Sequence, residues 1–261
     1  MSLQKYVLIT GASSGIGLCF AEIFAQRGNS LLLIARSEGK LKEIQEKFTK
    51  KYGISIHIIV QDLAEMNAAK VIYEEVKRLQ IQVHTLINNA GFGDYGLFEK
   101  MDLQTTQRMM QLNMVCLTEL CHYFVKDMLK ARSGAILNVA SNAAFQPGPW
   151  MSLYFATKAF VLNLTEGMHE ELKPSGISVV ALCPGPTETG FVKASRLESS
   201  QFFKKKLSEP HTAAMVGYKA LKQNKAVAIV GWKNKLQIAA LRFTPRFLVR
   251  KITKYLLGRK G

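Results

Sequence analysis

The stretch KYVLITGASSGIG, residues 5–17, carries an apolar run straight into three closely spaced glycines. The run KYVLIT has the length and the Val, Leu and Ile content of a buried β-strand. Glycines follow at positions 11, 15 and 17, and a helical pattern begins at the last of them. Glycine lets the backbone approach a pyrophosphate closely, and the free N–H groups of a helix N-terminus attract it. This order of strand, glycine loop and helix therefore predicts a dinucleotide-binding site.

Apolar runs of the same kind recur along the chain. Six more lie at residues 30–35, 54–60, 84–88, 134–140, 177–183 and 225–230. They show little alternation of polar and apolar residues, which is typical of parallel strands covered on both faces. The sequence predicts an α/β fold: a Rossmann-type, doubly wound sheet of seven parallel strands with helices on both faces. Residues 1–261 contain no linker or internal repeat, so we expect a single domain with a helical C-terminal extension.

The composition is ordinary for a globular protein, with 48% hydrophobic and 21% charged residues among 261. No apolar run approaches the ~18 residues of a membrane span, and the N-terminal residues do not resemble a signal peptide. The four cysteines form no CxxC pair; they are Cys19, Cys116, Cys121 and Cys183. We therefore expect reduced thiols, no metal site and a cytoplasmic protein.

Positive charge is concentrated in the last quarter of the chain. Residues 191–261 carry 17 Lys and Arg and two acidic residues, whereas residues 1–190 carry 18 basic and 17 acidic residues. The net charges are therefore +15 and +1, and this asymmetry calls for an anionic partner or surface. Nucleic acid is not predicted, because no nucleic-acid-binding motif is present.

The extension at residues 231–261 contains a basic amphipathic pattern. Thr244 and Pro245 predict a helix start, with Thr244 as N-cap and Pro245 at the first helical position. Basic residues recur every four positions, at Arg246, Arg250 and Lys254, opposite an apolar stripe of Leu248, Ile252, Tyr255 and Leu256. Such a helix is typical of one lying on an anionic membrane surface, peripheral to the bilayer. The alternative is a helix packed on the body or on another subunit, with its charges solvated.

Polar side chains follow several of the predicted strands. Arg36 stands where an NAD site would place an acid for the ribose 2′-hydroxyl, and a guanidinium suits a 2′-phosphate, with Lys40 able to assist. The alternative for Arg36 is a solvated loop arginine. Asp62 follows the third strand and can cap a helix. Ser141 follows the fifth strand, where turn and cap residues are common.

Tyr154 and Lys158 lie four residues apart in SLYFATKAFVLNL, residues 152–164, and so share one helix face. Two interpretations are open on these residues alone. Lys158 extends along the helix beside a half-buried tyrosine, or its ammonium tunes the proton of the phenol.

Taken together, these motifs resemble the classical branch of the short-chain dehydrogenase/reductase family over residues 5–230. The resemblance lies in Thr10 with the GxxxGxG loop, Asn88-Asn89-Ala90-Gly91, Asn113 in QLNMVCL, Ser141 placed 13 residues before Tyr154, Lys158, and Pro184-Gly185-Pro186-Thr187-Glu188-Thr189. It implies an oxidoreductase that interconverts a ketone and a secondary alcohol by hydride transfer from a nicotinamide.

The resemblance also implies a catalytic role for four residues. Tyr154 is the general acid and base, and Ser141 hydrogen-bonds the substrate oxygen. Lys158 stabilises the phenolate and binds the nicotinamide ribose. Asn113 breaks its helix locally and holds a water that connects Lys158 to solvent.

The cofactor contacts implied by the resemblance surround these residues. They are Gly11, Ser13, Ser14, Gly15, Ile16, Gly17, Arg36, Asp62, Leu63, Asn89, Ala90, Gly91, Tyr154, Lys158, Pro184, Gly185, Thr187 and Thr189. Asp62 is expected at the adenine, and Thr189, or as second choice Thr187, at the carboxamide. Arg36 favours NADP(H) over NAD(H).

Substrate recognition is expected in a lid at residues 190–224. Apolar residues there either line a pocket or pack the lid onto the body; they are Phe191, Phe202, Phe203 and Leu207, and further candidate contacts are Phe92, Phe145 and Trp150. A hydrophobic carbonyl such as a 3-oxoacyl group or ring ketone is favoured, with an acidic acyl carrier or CoA if the basic lid serves the substrate. The family implies a homodimer or homotetramer. The alternatives from another class are a catalytically silent NADP(H)-binding sensor and a peripheral membrane-surface interaction protein.

Overall fold

The computed structural model describes residues 5–191, 195 and 207–258. Seven strands form one parallel sheet in the order β3-β2-β1-β4-β5-β6-β7. The strands are β1 Lys5–Thr10, β2 Ser30–Ala35, β3 Ile56–Val60, β4 Gln82–Asn88, β5 Gly134–Val139, β6 Ile177–Cys183 and β7 Val227–Ile229. From β1 the chain adds strands toward one edge of the sheet, and from β4 it adds them toward the other edge. In a doubly wound sheet a crevice opens at this switch point, between β1 and β4. The predicted fold class is confirmed.

Helices cover both faces of this sheet. They are α1 Gly15–Ala25, α2 Glu38–Tyr52, α3 Ala68–Arg78, α4 Leu103–Met110, α5 Leu117–Ala131, α6 Ser152–Leu172, α7 Pro210–Lys222, α8 Trp232–Leu241 and α9 Arg246–Leu257. Successive side chains of a strand point to opposite faces, so Leu8 and Ile9 of β1 belong to two separate buried clusters. Phe124 of α5 joins the cluster of Leu8, and Phe20 of α1 joins that of Ile9.

Helix α7 belongs to the core, although the sequence places it within the lid. Ala213 and Ala214 are fully buried, and a Cβ atom added at Gly217 would lie 2.7 Å from the Phe20 ring. Small residues let α7 approach α1 closely, so residues 210–222 cannot move as a lid without exposing the core. Phe202 and Phe203 of the predicted lid lie outside the described residues.

The C-terminal extension consists of two helices, α8 and α9. Thr244 does not cap α9 as predicted: its hydroxyl donates to the Ala240 carbonyl at 2.8 Å and so satisfies the end of α8. Pro245, with extended backbone, occupies the N-cap, and α9 begins at Arg246. Across the described ranges, no helix is both long and apolar enough to cross a bilayer. All four cysteines are free thiols.

Candidate active site

One cavity of about 910 Å³ opens at the carboxyl ends of the central strands. It gathers most of the predicted site residues: Gly11, Ser13, Ser14, Gly15, Ile16, Arg36, Asp62, Leu63, Asn89, Ala90, Gly91, Ser141, Tyr154, Lys158, Pro184, Gly185, Thr187 and Thr189. Lys40 is also part of the wall. Gly17 and Asn113 do not line the cavity and contact residues that do.

The glycine loop forms the floor of the cavity at the start of α1. Gly11 and Gly15 have φ angles of +64° and +56°, a backbone conformation that side chains disfavour. A Cβ atom at Gly17 would lie 2.3 Å from the Gly11 carbonyl oxygen. The glycines therefore allow a turn and a close approach of backbone to backbone that other residues would block. This geometry, with a helix N-terminus behind it, fits a dinucleotide pyrophosphate.

Thr10 and Asn89 fasten the glycine loop to the loop after β4. The Thr10 hydroxyl oxygen accepts hydrogen bonds from the backbone N–H groups of Asn89 and Ala90, at 2.9 and 3.0 Å. The Asn89 side chain donates back to the Thr10 carbonyl at 3.0 Å. The two loops that flank the switch between β1 and β4 therefore form one rigid unit.

Tyr154 and Lys158 lie on one face of α6, next to the end of β5. Both are buried, with 9% and 5% of their surface exposed. Lys158 Nζ donates to the Val139 carbonyl at 2.7 Å. Burial lowers the pKa of Lys158 to about 8, with the Cys183 thiol opposing this shift.

Ser141 follows β5 and lies beside Tyr154. Its hydroxyl oxygen accepts the Ala143 N–H at 3.1 Å, so it caps a short 3₁₀ turn. Burial raises the pKa of Tyr154 to about 12, and a hydrogen bond with the Ser141 side chain opposes this effect. In the chain by itself the tyrosine is therefore a weaker acid than a free phenol. Desolvation is the largest influence on this phenol in the chain without a cofactor.

Asn113 lies where the long helical pattern is interrupted. Residues Gln111–Cys116 form a π-helical segment between α4 and α5. The Asn113 amide donates to the Phe92 carbonyl at 2.9 Å and to the Thr157 hydroxyl at 3.1 Å, and its oxygen accepts the Phe92 N–H at 3.2 Å. The local break in the helix, expected from the resemblance, is present, and it turns the carboxamide toward α6.

Gly91 explains how Asn113 and Lys158 approach the same loop. A Cβ atom at this position would lie 3.1 Å from Asn113 Oδ1 and 3.3 Å from Lys158 Nζ. Without a side chain at Gly91, both polar groups come close to the backbone after β4.

Asp62 is held in a turn and does not cap a helix. Its two carboxylate oxygens accept the Ala64 N–H at 3.0 Å and Arg108 Nη2 at 2.7 Å, whereas the N-cap of α3 is Asn67. Burial raises the pKa of Asp62, but these two hydrogen bonds and the nearby charges of Arg108 and Arg36 outweigh it, so the pKa lies below its usual range. Arg108 also lines the cavity, and no motif in its helix marks it.

The turn after β6 places two threonines differently. The Thr187 hydroxyl donates to the Gly185 carbonyl at 2.9 Å. The Thr189 hydroxyl accepts the Phe191 N–H at 3.3 Å, and its methyl group lies 2.9 Å from a Cβ atom built at Gly15. Thr189 is therefore the threonine that reaches the glycine loop.

Apolar side chains form part of the cavity wall and cluster with Tyr154. Phe92 and Phe191 line it as predicted, together with Met151, Phe155 and Leu257. Phe145 was expected there, but it packs against the buried core because the 3₁₀ turn after Ser141 directs it inward. Trp150 and Leu207 are not part of the lining.

The extension contributes to this wall, which the sequence did not predict. Leu257 of α9 and Asn234 and Gln237 of α8 line the cavity. The Tyr95 hydroxyl donates to the Leu257 carbonyl at 2.7 Å and holds the end of α9 on the body.

Comparison with known proteins agrees with this geometry. The sequence profile of the family described as short chain dehydrogenase matches residues 5–200. The chain is 32% identical over 222 residues to a very-long-chain 3-oxoacyl-CoA reductase of Anas platyrhynchos, covering 82% of this chain and 69% of that protein. It is 28% identical over 203 residues to a 3-oxoacyl-[acyl-carrier-protein] reductase of Aquifex aeolicus, covering 78% of this chain and 82% of that protein. It spans only 59% of the corresponding very-long-chain reductase of Rattus norvegicus.

A solved structure is similar over nearly the whole chain. A short-chain dehydrogenase from Sphingobium yanoikuyae, in complex with NADPH, is 31% identical with a TM-score of 0.84, covering 94% of this chain and 95% of that one. The fold and the site define an oxidoreductase built on a dinucleotide-binding sheet. The chain belongs to the short-chain dehydrogenase family.

Proposed function

We propose that the protein is an NADP(H)-dependent oxidoreductase that interconverts a ketone and a secondary alcohol. The observation that carries this proposal is the grouping of Ser141, Tyr154 and Lys158 in one cavity with the glycine loop and Arg36. A proton donor, a second hydroxyl and a cation at the polar end of an apolar pocket are the groups that carbonyl reduction needs.

The proposed mechanism uses each of these side chains at the substrate oxygen. When bound, the nicotinamide supplies hydride in reduction and, in its oxidised form, a positive charge. Tyr154 gives its phenolic proton to the oxygen as negative charge develops there, and Ser141 donates a hydrogen bond to the same atom. Lys158 binds ribose hydroxyls, and its ammonium favours the phenolate that remains. Lys158 then passes a proton to the Tyr154 phenolate, and a water held by Asn113 would replace that proton on Lys158.

Cofactor preference is proposed from the rim of the cavity. Arg36 and Lys40 are exposed there, and no acidic residue stands at the end of β2 to bind a ribose 2′-hydroxyl. A guanidinium binds phosphate oxygens through charge-assisted hydrogen bonds. These features support NADP(H) over NAD(H), as does the NADPH complex of the similar structure. Asp62 is proposed at the adenine and Thr189 at the carboxamide.

The substrate is proposed to be a hydrophobic carbonyl compound. Phe92, Phe155 and Leu257 line the cavity in one apolar cluster that includes Tyr154. The similarity to 3-oxoacyl reductases supports a 3-oxoacyl chain, and the apolar lining also suits a ring ketone. An acyl chain carried on an acidic carrier protein or CoA would complement the basic C-terminal quarter.

Assembly and location are proposed on the same basis. Val115 and Phe160 are large apolar side chains with 41% and 37% of their surface exposed, close to the segments that bear Asn113 and Tyr154. They support a homodimer or homotetramer formed through the helical segments that bear Asn113 and Tyr154. We place the protein in the cytoplasm, with its basic extension at an anionic surface.

The test is loss of NADPH absorbance against a panel of carbonyl compounds, including short ketones, ring ketones and 3-oxoacyl thioesters. We expect turnover of at least one hydrophobic carbonyl, and a lower rate with NADH. Tight NADPH binding without turnover of any compound would favour a sensor and contradict the proposal.

A further inference from the structure

Helix α9 has two faces of opposite character. Val249, Thr253 and Leu257 are buried against the body, with 3–6% of their surface exposed. Leu248, Ile252 and Tyr255 are 39%, 53% and 83% exposed. Residues at positions i, i+4 and i+7 share one helix face. Three of the four residues of the apolar stripe predicted from the sequence therefore point to solvent, whereas the fourth, Leu256, is half-buried. A different stripe anchors the helix.

The exposed face is fixed in place by the buried one. The hydrogen bond from the Tyr95 hydroxyl to the Leu257 carbonyl, 2.7 Å long and buried, ties the last turn of α9 to the loop after β4. Leu257 also packs in a cluster with Tyr95 and Met151. The outer face is therefore presented by a helix that is docked on the body.

Further large apolar side chains are exposed in the segment that leads into α9. Trp232 and Leu236 of α8 are 70% and 66% exposed, and Phe243 and Phe247 are 89% and 52% exposed. Single exposed apolar residues are common, but so many within one short segment mark a surface that is covered in use.

The charge of the same segment identifies what covers it. Residues 231–258 contain seven basic residues and no acidic one: Lys233, Lys235, Arg242, Arg246, Arg250, Lys251 and Lys254. All seven are exposed, and none takes part in an ion pair within the described parts of the chain.

We propose that the exposed face of α9, with the exposed apolar side chains of residues 232–247, is a binding surface for an anionic lipid bilayer. Aromatic and aliphatic side chains enter the boundary between head groups and acyl chains, while Lys and Arg remain at the negatively charged head groups. A second copy of the chain is disfavoured as the partner, because two surfaces of uniformly positive charge repel each other. An acidic protein would neutralise the charge, but it would not account for large apolar side chains such as Tyr255 and Phe243 being 83% and 89% exposed.

The experiment is flotation of the full-length protein with vesicles of phosphatidylcholine, alone or with part of it replaced by phosphatidylglycerol. We expect at least about tenfold stronger binding to the anionic vesicles, weakened by high salt, because each basic residue near such a surface contributes about fivefold. The double variant Ile252→Glu/Tyr255→Glu should lose most of this binding, and Arg250→Gln/Lys254→Gln should lose about 10- to 30-fold. The matched control Met66→Glu/Leu103→Glu changes two side chains that are 82% and 69% exposed elsewhere and should bind as the wild type does.

Equal binding to both vesicle types, or full binding by Ile252→Glu/Tyr255→Glu, would overturn the lipid surface. The proposal would also be overturned if the protein did not bind anionic vesicles but bound an acidic carrier protein, or another copy of itself, through this face. NADPH oxidation with a water-soluble carbonyl, measured without vesicles, reports separately on the proposed enzymatic function. All four proteins should retain that activity, since none of these residues lines the cavity.

Discussion

Lys158 Nζ lies 5.9 Å from the centre of the Tyr154 ring, one helical turn away on the same face of α6. Both side chains are buried, and burial moves the pKa of each toward its uncharged form, to about 12 for Tyr154 and about 8 for Lys158. A positive charge or hydrogen-bonding partner bound in the cavity would therefore shift the pKa of Tyr154 and of Lys158. That arrangement makes the proposed roles testable one residue at a time.

Replacing Tyr154 with Phe should separate binding from chemistry. The ring still packs against Phe155 and Phe191, so NADPH affinity should stay within about threefold. Turnover should fall by about 10² to 10⁴, the usual contribution of a positioned general acid. The measurements are NADPH fluorescence titration and steady-state oxidation of the best carbonyl substrate.

Tyr52→Phe is the matched control for this variant. It also removes one phenolic hydroxyl, which donates to Glu22 of α1 and does not line the cavity, so turnover should stay unchanged. Near wild-type turnover by Tyr154→Phe would remove the tyrosine from the mechanism.

The buried charge of Lys158 predicts a pH dependence of stability. Its pKa of about 8 in the folded protein lies below the value of 10.5 expected in the unfolded chain, so between these values the folded state binds fewer protons. Stability attributable to this residue therefore rises as pH increases through this window and is lost as pH falls through about 8. Relative to Lys158→Met, the wild-type free energy of unfolding should rise by on the order of 2 kcal/mol from about pH 7.5 to about pH 10.

Urea unfolding of the cofactor-free protein at several pH values checks this expectation. Lys47→Met, which removes an exposed lysine of α2, corrects for the loss of one positive charge. A difference between wild type and Lys158→Met that is flat with pH, or falls, would show that Lys158 is not held in a desolvated site.

Gly17 should tolerate no side chain. A Cβ atom there would lie 2.3 Å from the Gly11 carbonyl oxygen and 2.5 Å from Asn89 Nδ2, so the loop must shift. Gly17→Ala should lose about 1–3 kcal/mol of stability, as overpacked sites do, and NADPH binding should weaken by at least about tenfold. Thermal unfolding and fluorescence titration measure the two effects.

Gly167→Ala provides the comparison. A Cβ atom at Gly167 meets nothing within 4 Å, and alanine is favoured over glycine inside a helix by about 1 kcal/mol. This variant should be as stable as the wild type or slightly more so, with unchanged NADPH binding. Equal stability and equal NADPH affinity of Gly17→Ala and Gly167→Ala would show that the glycine loop does not depend on close packing at Gly17.

The strands could be predicted from the sequence because buried parallel strands are continuous runs of Val, Ile and Leu. At the two edges of the sheet the strands are shorter than predicted, whereas the central β4 begins two residues earlier than predicted. Residues 54–60 were predicted for β3 and 225–230 for β7, but the strands are Ile56–Val60 and Val227–Ile229. Each edge strand has a partner on one side only, and β7 pairs with β6 through three residues, so pairing ends before the apolar run does.

Some site residues can be recognised from local sequence motifs, whereas others reach the site only through contacts between distant parts of the chain. Ser141, Tyr154 and the glycine loop lie in short motifs, and the fold brings them together because each follows or faces the end of a central strand. Arg108 and Leu257 carry no such motif. The partner of Leu257 is Tyr95, 162 residues earlier in the chain, and only the packing of α9 onto the body shows that the extension forms a wall of the cavity.

Arg36 should determine which nicotinamide cofactor the protein prefers. It lines the cavity at the end of β2, and a charge-assisted contact with a 2′-phosphate contributes about 1.5–3 kcal/mol. Arg36→Asp should therefore weaken NADPH binding by about 10- to 100-fold, while NADH binding stays constant or improves because a carboxylate can accept hydrogen bonds from ribose hydroxyls. Lys50→Asp makes the same change of charge at the exposed far end of α2 and should alter neither affinity. The measurement is the ratio of NADPH to NADH dissociation constants, obtained by fluorescence titration for the three proteins. An unchanged ratio in Arg36→Asp would show that Arg36 is a solvated loop residue that does not contact the 2′-phosphate.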